Sequence, residues 1–126
     1  FAFNRKEAKD HGEGGALVGA ELSGRVVIVD DVMTAGTAVR EAIALVQAHH
    51  ASPAAVVIGL DRKERGADTL SAVQSFERDY SLPVESIISI EHLLEFLSNN
   101  QTNTDAALSA THLDKLRTYW SKYGAA

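Results

Sequence analysis

Cysteine is absent from the 126 residues, so disulfides and thiolate metal sites are excluded. That absence suits a reducing compartment, and the cytoplasm is the expected location. No run is long and apolar enough to cross a membrane. No basic start followed by an apolar run and a small-residue cleavage site marks a secretory signal. A basic excess is missing as well: the net charge is -5 and the pI is near 5.4, which argues against a nucleic-acid partner. A small anionic ligand is still compatible, because local geometry can overrule net charge. Three chemical signatures are also lacking: HxxxH metal spacing, a GxSxG nucleophile elbow and a P-loop lysine.

What is present is ordinary for one folded domain, with 45% hydrophobic and 23% charged residues. The length suits a single hydrophobic core, so residues 1–126 are read as one domain. The chain opens on Phe1, without methionine, in a segment that reads like the end of a strand. We therefore expect a piece of a longer protein.

Residues 1–15 begin with that strand end and continue as NRKEAKDHGEGG, charged and then glycine-rich, which predicts a mobile loop. Residues 26–29 are a β-branched run with no alternation, the pattern of a strand buried on both faces of a parallel sheet. Asp30 and Asp31 end that run. A helix follows with Val39, Ile43 and Val46 on one face, closing near His49 and His50 before Pro53. Further strands are predicted at 55–60 and 84–90, and helices at 69–80, 91–97 and 105–123. Strands alternating with helices imply right-handed crossovers, an α/β fold with a parallel sheet flanked by helices.

Ligands of an open parallel sheet sit beyond the carboxyl ends of its strands. Asp30 and Asp31 stand at such an end, where carboxylates accept hydrogen bonds from the vicinal hydroxyls of a ribose. Val32, Met33, Thr34, Ala35, Gly36, Thr37 and Ala38 then lead into a helix. Its exposed N–H groups and positive dipole end suit a phosphate. The blander alternative makes Asp30 and Asp31 helix caps and the Thr-Ala-Gly-Thr stretch a plain turn.

Residues 26–38, VVIVDDVMTAGTA, resemble the phosphoribosyl-pyrophosphate motif of the type I phosphoribosyltransferases at every position. The loop of residues 3–14 is similar to the catalytic loop of the orotate phosphoribosyltransferases, and the likeness extends through LDRKERG at 60–66. It weakens in the C-terminal helices. The resemblance implies the C-terminal portion of that fold, with the family's N-terminal region, which supplies part of the orotate pocket, lacking.

It further implies transfer of a phosphoribosyl group from phosphoribosyl pyrophosphate to orotate, with Mg²⁺ held through the substrate rather than by protein ligands. Arg5, Lys6, Lys9 and His11 would contact pyrophosphate, with Lys9 the foremost catalytic residue beside Asp30 and Asp31. Thr34 and Arg62 would meet orotate, whose carboxylate a planar guanidinium matches in paired bonds. In the family the loop, here 5–14, reaches the neighbouring subunit, which implies a homodimer. The bland reading of Arg62 is a surface residue paired with Glu64 or Asp61. Rival functions are transfer to another base, a non-catalytic sensor of phosphoribosyl pyrophosphate, and an inactive fragment.

Overall fold

A computed structural model describes residues 1–4, 17–66, 69–99 and 110–125. The expected pyrophosphate contacts Arg5, Lys6, Lys9 and His11 lie outside the described residues.

Two short strands, β1 (Ala2–Asn4) and β2 (Leu17–Gly19), pair antiparallel. The main sheet holds β3 (Arg25–Val32), β4 (Ser52–Asp61) and β5 (Val84–Ser89), parallel and in that spatial order. Helix α1 (Thr37–Ala48) joins β3 to β4, and α2 (Ala72–Tyr80) joins β4 to β5. Helices α3 (Ile90–Asn99) and α4 (Ala110–Tyr123) follow and pack on each other.

The core forms where one apolar stripe of each helix meets one face of the sheet. Val39 and Ile43 of α1 and Val73 and Phe76 of α2 cover Ile28, Val56 and Ile58, with Met33 at the rim. Helix α2 starts cleanly because Ser71 and Gln74 form a reciprocal capping box. Near Pro53 the β3–β4 register slips by one residue, between Val26 and Val27, where proline has no N–H for the ladder.

Three expectations are corrected. The run at 26–29 is not buried on both faces: Val27 is 51% and Val29 76% exposed, because the helices cover only the opposite face. The strand does not stop at Asp30, since Asp30 still pairs with Ile58 and Val32 with Leu60. Helix α2 begins at Ala72 rather than at residue 69, the point set by the Ser71 cap.

Candidate active site

The carboxyl ends of β3, β4 and β5 deliver Asp30 and Asp31, then Arg62, then Ser89 to one end of the sheet. Because β3 continues to Val32, side chains still alternate there, and Asp30 and Asp31 lie on opposite faces of the strand. They straddle the strand end rather than share one side. Each carboxylate is also tied to the chain. Asp31 N–H donates to Asp30 Oδ1 at 3.0 Å, and Val32 N–H donates to Asp31 Oδ1 at 2.7 Å. One oxygen of each is thereby held along the strand.

Neither aspartate caps α1. The N-cap is Gly36, at φ 70°, and it offers no side-chain acceptor. The left-handed turn requires glycine or a strained substitute. No acidic residue stands in the first turn of α1, so no side-chain charge there offsets the positive potential of its N–H groups. Arg40 braces this turn: its Nη2 donates to the Ala35 carbonyl at 2.6 Å and approaches Thr37 Oγ1 at 3.4 Å. Sequence reasoning missed Arg40. Its only local signal is a position three residues after Thr37, on the same side of the helix start.

Thr34 and Arg62 line one cavity of about 140 Å³ with Met33, Lys63, Glu64 and Ala72. A neighbouring cavity of about 190 Å³ is lined by Thr34, Ala35, Gly36, Arg40 and Phe76. Thr34, Gly66 and Ala72 border both, so the spaces adjoin at the loop leading into α1. Asp30 and Asp31 border neither. Arg62 Nη2 pairs with Glu64 Oε2 at 3.1 Å, the partner named in the bland reading of this residue. Its Nε, however, is buried with no hydrogen-bond partner among the described residues. Such a donor is costly to leave unmet and suits a ligand acceptor.

The loop after β4 is anchored to α3. Lys63 Nζ donates to Glu91 Oε2 at 2.5 Å, and Ser89 Oγ donates to the same oxygen at 3.1 Å. The Lys63 bond holds the Glu91 carboxyl below the ordinary glutamate range. Glu64 accepts from the Tyr119 hydroxyl at 3.2 Å, and that bond pushes the phenol above its ordinary value. Among the described residues no group of three or more His, Cys, Asp or Glu side chains could hold a metal ion. Asp30 and Asp31, on opposite faces of β3, do not form a shared cage for an ion, and the arrangement fits Mg²⁺ held through substrate oxygens.

No family model matches the chain. The orotate phosphoribosyltransferase of Pseudomonas aeruginosa is 54% identical over 124 residues, which cover 98% of this chain and 55% of that protein. The enzyme of the same name from Chromobacterium violaceum is 53% identical over the same shares. The crystal structure of orotate phosphoribosyltransferase from Francisella tularensis superposes with a TM-score of 0.73 at 35% identity, covering 98% of this chain and 55% of that one. The chain is similar to orotate phosphoribosyltransferases along nearly its whole length. It spans about half the length of the curated relatives it matches. The parallel sheet with flanking helices described above is the type I phosphoribosyltransferase fold, here covering about half of its full extent. Among the described residues no helix is long and apolar enough to cross a membrane.

Proposed function

We propose that this chain carries the ribose-phosphate site and part of the base pocket of an enzyme of pyrimidine biosynthesis. The reaction transfers a phosphoribosyl group from phosphoribosyl pyrophosphate to orotate, giving orotidine 5'-phosphate and pyrophosphate. One observation carries the reading: Arg62, whose buried Nε has no partner among the described residues, shares a cavity with Thr34 at the mouth of the α1 turn. A donor for a carboxylate and donors for a phosphate are thus offered side by side.

In this scheme residues 32–38 grip the 5-phosphate through backbone N–H groups, with Arg40 holding the turn. Asp30 and Asp31 receive the ribose hydroxyls and favour positive charge on the ring. Mg²⁺ bound with the substrate supplies charge neutralisation at the departing pyrophosphate. Arg5, Lys6, Lys9 and His11 close over that pyrophosphate, with Lys9 foremost, and exclude water from the reacting carbon. We place this chemistry in the cytoplasm, consistent with the lack of cysteine. We also place it in a homodimer, in which the loop 5–14 serves the neighbouring site.

The test follows orotate absorbance with phosphoribosyl pyrophosphate and Mg²⁺, using uracil and hypoxanthine as controls. Orotate-dependent loss, absent with both controls, is the expected result. Equal use of hypoxanthine, or no Mg²⁺-dependent binding of phosphoribosyl pyrophosphate, sinks the reading. Arg62→Lys replaces a planar fork with a point charge and should weaken orotate binding roughly 10- to 100-fold. Isothermal titration with orotate measures this, and unaltered affinity would remove Arg62 from the pocket.

A further inference from the structure

The residue that presents Arg62 is held far more firmly than a surface loop requires. Lys63, the next residue, adopts φ 47°, a left-handed conformation that is strained for a side chain with Cβ. Three contacts hold it there. Its N–H donates to Asp61 Oδ1 at 2.8 Å, its carbonyl accepts from Ala125 N–H at 2.7 Å, and its ammonium meets Glu91. On the other side, Arg65 N–H donates to the Tyr123 carbonyl at 2.8 Å, and the Arg65 guanidinium donates to the Lys122 carbonyl. Glu64 forms an antiparallel bridge with Gly124. The end of α4 and the residues after it therefore form a strap along 63–65.

Glu64 sits where strap and site meet. One carboxylate oxygen receives the Tyr119 hydroxyl and the other faces Arg62 Nη2. The Glu64 side chain is only 27% exposed, so this pair is shielded more than an ordinary surface ion pair. An arginine left free has many rotamers to lose on binding, and a partner that fixes it beforehand removes that cost.

We propose that Glu64, held by Tyr119 and by the strap of residues 123–125, is the positioning residue that fixes Arg62 for a carboxylate-bearing base. The proposal rests on the base-pocket role given to Arg62 above. Glu64 touches no substrate in it and acts only through the guanidinium.

Four variants test it, read by titration with orotate and, separately, with phosphoribosyl pyrophosphate and Mg²⁺. Glu64→Ala should weaken orotate binding about tenfold and leave phosphoribosyl pyrophosphate within about twofold. Glu64→Gln keeps one carbonyl acceptor, enough for Arg62 or Tyr119 but not for both, and should recover only part of the loss. Tyr119→Phe removes one hydroxyl and should weaken orotate about threefold. Gly124→Ala places a Cβ 2.7 Å from the Trp120 carbonyl oxygen, which must shift the strap, and should reproduce the Glu64→Ala pattern without touching either side chain. Unchanged orotate affinity in Glu64→Ala, or an equal loss for both ligands, overturns the positioning role alone. Failure of the unsubstituted protein to bind orotate instead overturns the function on which the role rests.

Discussion

Replacing Asp30 and Asp31 together by asparagine is expected to lower phosphoribosyl transfer by on the order of 100-fold or more, with the fold intact. The substitution removes charge and little else. Each asparagine keeps a carbonyl oxygen to accept the N–H that Asp30 and Asp31 now hold, so the local backbone bonds persist. Asp30 is half-buried and Asp31 exposed, and no cation pairs with either carboxylate among the described residues. Stability should therefore hold or rise slightly, because two adjacent like charges are relieved. What is lost is negative potential on both sides of the strand end, where the proposed reaction puts positive charge on the ribose. Turnover and thermal unfolding measured on the same preparations separate the two effects. A double variant that turns over at the parent's rate would end the assignment of these carboxylates to the ribose.

Some of the site was legible in the sequence because its logic is local. The β-branched run, the two aspartates and the small residues before α1 are contiguous, so a strand and a following helix could be placed from spacing, although β3 runs two residues further than expected, to Val32. The same holds for Arg62, which follows a strand end directly. Other features were hidden because they depend on what packs where. An apolar strand announces a preference for a pleated surface, not the number of layers that cover it; Val27 and Val29 read as doubly buried yet lie exposed. Arg40 was invisible because its partner is the Ala35 carbonyl, a group positioned by the left-handed turn at Gly36. The Tyr119–Glu64 bond joins residues 55 apart, and no periodicity connects them. Arg62 shows both cases at once: its bond to Glu64 is a neighbour effect, whereas its buried Nε is a consequence of the fold.

Phe76→Ala is expected to lower the free energy of unfolding by roughly 3–5 kcal/mol, a large share of what a domain of this size possesses. Phe76 is 3% exposed and packs in the cluster that joins α1 and α2 to the sheet. Its ring stacks on Tyr80, with centroids 4.6 Å apart and planes within 15°. It also abuts the turn at Gly36, to which phosphate binding is proposed: a Cβ built on Gly36 would stand 3.5 Å from the ring. Truncation thus opens a cavity beneath the start of α1 as well as removing apolar burial. Urea unfolding should show a lower midpoint with an unchanged slope, and phosphoribosyl pyrophosphate binding should weaken in protein that is still folded. Val29→Ala is the matched control. It deletes methyl groups from a side chain that is 76% exposed on the opposite face of the sheet, so its effect should stay within about 0.5 kcal/mol. Equal losses for the two variants would mean that the outer face of β3 is packed as tightly as the inner one, and the one-sided core described here would be wrong.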